Sequence, residues 1–172
     1  VMIWQKQDGE WKVRREIWTT TTKGGTLAEP LKVLKPYLGS WTTEGKNPAG
    51  EGNIRCTFTW KPLLDGKAVL SEGTVWANGK VTDQWASMMF YNNQTKTLAE
   101  AGVNRTGQGR STVHLVGNKL VFQGIGSDAE GEGNNVDELS LEGDTIRYSQ
   151  LAVFLNGKPR DQLLKNIEFR RE

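Results

Sequence analysis

From Ser40 to the C-terminus, turn-forming pairs break the chain at short, regular intervals: Asp65-Gly66, Asn78-Gly79, Asn92-Asn93, Gly117-Asn118, Gly143-Asp144 and Asn156-Gly157. Gly and Asn adopt turn backbone at the least steric cost. The stretches between them alternate in polarity and are rich in β-branched and aromatic residues. They predict strands over 40–46, 53–62, 67–77, 80–92, 95–105, 109–116, 118–126, 135–142, 144–155 and 164–171. Strands joined by turns this short pair antiparallel with their chain neighbours. A long meander of this kind is better closed than flat, because closure leaves no exposed edge.

Ahead of the first of these strands lies Leu34-Lys-Pro-Tyr-Leu-Gly39-Ser-Trp41-Thr-Thr-Glu-Gly45. Pro30 to Tyr37 reads as a short helix with Pro30 at its first position, Thr26 or Glu29 as cap, and Gly39 as stop. Leu31, Leu34 and Leu38 share one face of it. Residues 1–20 read as a separate hairpin: Val1 to Trp4, an Asp8-Gly9 turn, then Trp11 to Trp18. A polar run beginning at Thr19 marks 21–30 as a linker, leaving 31–172 as the main domain.

The 22 Lys and Arg barely exceed the 20 Asp and Glu, and they are scattered, so no nucleic-acid footprint is expected. No apolar run reaches the roughly 18 residues of a membrane-spanning helix. The single cysteine, Cys56, excludes an internal disulfide and a cysteine-ligated zinc site. It shares a face with Ile54, Phe58 and Trp60, which predicts a buried small residue rather than a reactive thiol.

Strand 80–92 is apolar on both faces, with Trp85, Met89 and Tyr91 opposite Ala86, Met88 and Phe90. Strand 144–155 places Ile146, Tyr148, Gln150, Ala152 and Phe154 together, opposite Arg147, Ser149, Leu151 and Val153. Two-sided strands call for a second buried surface: the helix, another domain or a second copy of the chain.

Catalytic signals are weak. The one histidine, His114, shares a face with Arg110 and Thr112. It is solvated if Val113 points inward, and a ligand or proton donor if the polar face lines a wet cavity. No serine has a nucleophile-elbow context. Asp128-Ala-Glu130-Gly-Glu132-Gly133 resembles a calcium loop but lacks the closing glutamate, since Leu139 stands there. Gly102, Gly107 and Gly109 precede no helix and make no phosphate cradle. Glu44, Glu72, Asp83 and Glu100 read as surface charges on strands.

Leu34 to Trp41, Phe58-Thr-Trp60, Leu64-Asp-Gly-Lys-Ala-Val69, Phe90-Tyr-Asn92 with Lys96, and Ile167-Glu-Phe-Arg170 together resemble a family of bacterial lipocalin-like domains of the calycin group. The Trp-rich hairpin at 1–20 is similar to the last hairpin of SnoaL-like (nuclear transport factor 2-like) domains, the alternative being an ordinary hairpin of the barrel. The resemblance implies an all-β fold: an antiparallel up-and-down calycin-like barrel of about 8–10 strands, with one short N-terminal helix and Trp41 plugging its closed end. Nitrobindins, which share this lead-in, hold haem through a histidine near the start of the closing strand. Asp161 to Ile167 contains none, so no haem is expected, nor any other cofactor or metal.

The leading expectation is a binding module for a small apolar or aromatic ligand, without evident catalytic machinery. Phe58, Trp60, Trp76, Trp85, Met88, Phe122 and Tyr148 are the candidate walls, and Arg110, Gln150 and His114 the candidate polar contacts. Two alternatives stay open: an assembly module, such as a homodimer, with a packed barrel, and an isomerase, cyclase or hydrolase acting on a lipophilic substrate. A carboxylate or His114 inside the pocket with a strongly shifted pKa would favour the enzyme.

Overall fold

The computed structural model describes the backbone of residues 2–7 and 10–16, and residues 27–47, 51–161 and 163–172 in full. Two short strands, β1 (Met2–Gln7) and β2 (Glu10–Glu16), pair antiparallel as a sheet of their own. The Asp8-Gly9 turn and most of the expected linker lie outside the described residues.

A 3-10 helix spans Glu29–Tyr37 and leads into β3 (Gly39–Lys46). Then follow β4 (Asn53–Leu63), β5 (Ala68–Ala77), β6 (Lys80–Asn92), β7 (Thr97–Asn104), β8 (Gln108–Val116) and β9 (Lys119–Asp128). The chain ends with β10 (Gly131–Glu142), β11 (Thr145–Leu155), the two-residue β12 (Lys158–Pro159) and β13 (Ile167–Arg171). From β3 to β11 each strand pairs antiparallel with the next. β13 inserts between β11 and β3 and closes the ring, an up-and-down barrel of ten strands with β12 outside the count.

The sequence places most strand boundaries within a few residues. Two differ more. β10 begins at Gly131 because Glu130 completes the preceding turn, its amide bonded to Asp128 Oδ1. β13 begins at Ile167 because Leu164 instead exchanges hydrogen bonds with Gln150.

The helix closes one end of the barrel. It has the three-residue period of 3-10 geometry, burying Leu31, Leu34 and Tyr37, while Leu38 sits past its end. Ala28 takes the cap position with no side-chain hydrogen bond and Glu29 is the first helical residue rather than the cap, while Thr26 lies outside the described residues. Leu31 and Leu34 meet Trp41, Trp60, Val69, Met89, Leu120 and Ile146 in one apolar cluster that fills this end. Trp41 Nε1 donates to the Tyr37 carbonyl at 2.8 Å. Arg171 donates from Nη1 to the Leu38 carbonyl at 2.7 Å and from Nη2 to that of Pro36 at 2.9 Å. Its guanidinium lies 4.3 Å from the centre of the Trp41 ring.

On β6, Asp83 faces Val75 and Val81 faces Trp76, so Thr82 is an extra, bulged residue; elsewhere in the barrel inward faces follow strand parity except on β11. There Val136 of β10 faces Ala152 and Asp137 faces Gln150, so Leu151 is an extra, bulged residue. Ile146, Tyr148 and Gln150 stay on one face as expected. Beyond the bulge the parity reverses, and Val153 takes the inward place expected of Ala152 and Phe154.

Candidate functional site

Above the plugged end the barrel encloses a cavity of about 1170 Å³, at the upper end of the range for small-molecule sites. Its apolar end is made by Phe58, Trp60, Phe122, Leu139, Ile167 and Phe169. Phe58 and Phe169 meet edge to face with ring centres 5.0 Å apart.

A polar band crosses the middle of the wall. Ser87 Oγ donates to Glu100 Oε1 at 2.6 Å. Glu100 lies opposite Ser111, Ser111 opposite Gly124, and Gly124 opposite Asn135, one residue from each of four successive strands. Gly124 lacks a side chain for a steric reason: a Cβ there would overlap the Asn135 amide and come 3.0 Å from Ser111 Oγ. Asn135 Nδ2 donates in turn to Asp137 Oδ2. No donor among the described residues meets Asp137 Oδ1, although it is buried.

These surroundings raise the acids above their ordinary values. Burial pushes the Asp137 carboxyl up to about 6; the Asn135 hydrogen bond and the nearby Tyr148 hydroxyl oppose the rise and the Glu100 charge adds to it. Glu100 is raised by burial, against its hydrogen bond from Ser87. Tyr148 is pushed well above the usual phenol value, first by burial and then by the charge of Asp137. Burial, with a smaller contribution from Asp83, takes the Cys56 thiol up to about 12, so it stays protonated.

Trp85 forms one side of this band. Its ring lies across Gly73, where any Cβ would overlap it, and Nε1 donates to Ser71 Oγ at 3.3 Å. Past Glu100 and Ser111 the cavity continues into a recess of about 480 Å³. A row of glycines in mutual register, Gly102, Gly109, Gly126 and Gly133, crosses four strands there. A Cβ would come 2.8 Å from the Ala86 carbonyl oxygen at Gly102 and 2.7 Å from that of Gln108 at Gly126. Bare backbone thus lets neighbouring strands lie close together around the recess.

On the opposite side the wall is open. β13 joins β3 through only two residue pairs, Arg170 with Thr42 and Arg171 with Trp41. The stretch from Thr43 to Lys46 has no strand partner on that side among the described residues. Thr43 to Asn47 and Leu164, Asn166, Glu168 and Arg170 border the resulting slot.

The structure brings Phe58, Trp60, Trp85, Phe122 and Tyr148 together on the cavity wall and places Gln150 in the recess. It does not bring the other four to the cavity. Trp76 pairs with Arg55 on the outer face, under a guanidinium 5.5 Å from its ring centre. Met88 is opposite in parity to the fully buried Met89. Arg110 precedes the inward Ser111 and touches only the recess. Val113 takes the inward position, 3% exposed, and turns His114 out. Asp83 and Glu100, expected as surface charges, line the cavity. Asp137 and Asn135 belong to no sequence motif, and the fold alone brings them to the cavity.

Neither models of known protein families nor curated proteins match the chain. The closed antiparallel barrel with a short helix at one end is consistent with a calycin- or lipocalin-like fold.

Proposed function

We propose that the barrel is a small-molecule binding module that takes a ligand with an apolar body and a polar end. The observation that carries this reading is one continuous cavity with aromatic walls at one end, a band of buried polar groups across its middle and an opening in its side. A solid β-barrel would have filled this space with side chains. The lipocalin-like resemblance of the residues from Leu34 to Trp41 supports the same reading.

Native mass spectrometry of freshly purified protein, with no step that strips lipids, tests it. A bound mass that is lost on denaturation is the expected result. A bare chain mass, together with failure to take up a neutral apolar dye such as Nile red, would overturn it. The same spectrum reports whether the chain is a monomer or the homodimer of the assembly alternative.

One observation favours a second reading, acid–base catalysis on the bound molecule. Asp137, raised to about 6 beside Tyr148, titrates close to neutral pH, where a general base is most effective. Conversion of the retained molecule on incubation would distinguish an enzyme from a carrier.

A further inference from the structure

We propose that the ligand is an organic cation, an amine carried on an apolar or aromatic body, with its ammonium group held between Glu100 and Asp137. This rests on the binding reading above and specifies the class of molecule bound.

Charge distribution is the first argument. The chain has 22 Lys and Arg, and the ion pairs they form are between partly exposed side chains: Lys61 with Glu72, Lys119 with Glu138, Arg147 with Glu142 and Glu168, Arg160 with Glu130. Inside, Asp83, Glu100 and Asp137 line the cavity, and none has an ion-pair partner among the described residues. Among the described residues, the cations bordering the cavity are Lys46 and Arg170 at the slot and those bordering the recess are Arg110 and Arg160, and all four are exposed. Carboxylates enclosed without a counter-charge are costly, and a bound cation supplies what the fold leaves out.

The second argument is the free acceptor. Asp137 Oδ1 is buried and lacks a donor, while Oδ2 takes one from Asn135. An ammonium group has three donors and no acceptor, which suits an acid pair with an unfilled oxygen. Third, the aromatic rings of Phe58, Trp60, Trp85 and Phe122 line the same cavity, and aromatic rings are favourable neighbours for a cation. No three acidic, Cys or His side chains among the described residues group tightly enough to hold a metal ion, so an extended organic cation suits the cavity better.

Binding must then depend on pH. Asp137 is faced by Glu100 from β7 and Tyr148 from β11, with Asp83 on β6 and Cys56 on β4 further around the wall. Of these, Tyr148 and Cys56 stay neutral, so the carboxylates set the response. Below about pH 6 Asp137 takes up a proton and its attraction for a cation is lost.

Three probes with one naphthalene body test the proposal by calorimetry on the full chain: 1-naphthylmethylamine, 1-naphthalenemethanol and 1-naphthoic acid. At about pH 7.5 the amine is expected to bind roughly tenfold or more tighter than the alcohol, and the acid most weakly. The amine's advantage should shrink as pH falls through about 6, while the alcohol's affinity stays level. Asp137→Asn and Glu100→Gln should each reduce the amine's affinity toward that of the alcohol and leave the alcohol unchanged. If either variant fails to fold, the probe comparison and pH profile of the unmodified chain decide alone. Alcohol or acid binding as tightly as the amine overturns the cation assignment while the cavity still binds. Failure of all three probes, with no retained molecule in the native mass spectrum, overturns the binding reading and this proposal together.

Discussion

Asp137 stands where a charge is expensive, and its effect on stability has a definite sign. A carboxyl raised from its ordinary 3.8 to about 6 holds its proton more tightly folded than unfolded. Between those two values the folded chain binds more protons, so this group's contribution to stability rises as pH falls from about 6 to about 4. At neutral pH the penalty is about 2 kcal/mol after allowance for partial exposure. Asp137→Asn should therefore raise the urea midpoint at pH 7, and the gain should vanish near pH 4. A residue that weakens the fold at neutral pH is most simply explained by a role in binding. A second test concerns Gly73, whose place is needed by the Trp85 ring. Gly73→Ala should displace that ring, costing about 1–3 kcal/mol by overpacking and shifting tryptophan emission. The aromatic half of the cavity was legible in the sequence because Phe58 and Trp60 alternate with polar residues. The acidic half was not, because a strand carboxylate usually faces water. Parity was the available signal: Glu100 shares a face with the buried Leu98, and Asp137 with Leu139 and Leu141.

At the scale of elements, the strands were legible because each turn carries its own chemistry. Asn78 and Asn156 do adopt positive φ, at 50° each, and each is followed by a glycine that does the same. The helix was legible in position but not in type. Pro30 and Pro36 remove two amide donors from a nine-residue segment, and its short hydrogen bonds, such as Leu31 N to the Ala28 carbonyl at 2.8 Å, span three residues. The bulge at Leu151 was hidden for a different reason: it is set by pairing with β10, and nothing within β11 announces it. The plug gives the clearest element-level prediction. Leu34 is fully buried against Trp41 and its neighbours, so Leu34→Ala should lower stability by about 3 kcal/mol in urea denaturation. Arg171→Lys keeps the charge but loses the planar fork that reaches both Pro36 and Leu38, and should cost about 1 kcal/mol.

At the scale of the whole molecule, the barrel is very unevenly joined. β4 and β5 share ten paired positions, from Ile54 with Ala77 to Leu63 with Ala68, whereas two pairs hold β13 against β3. Amides of Thr43 to Lys46 should accordingly exchange with deuterium sooner than those in the middle of β5, and bound ligand should slow them. Equal protection of the two strands would contradict this assignment of the weak joint. The same two pairs lie beside Arg171, which also ties down the plug. The width of the slot and the seating of the plug are thereby coupled through β13: Arg171→Ala should both speed exchange at Thr43 to Lys46 and lower the urea midpoint. One short strand thus borders the slot and clamps the plug, so loosening either loosens the other.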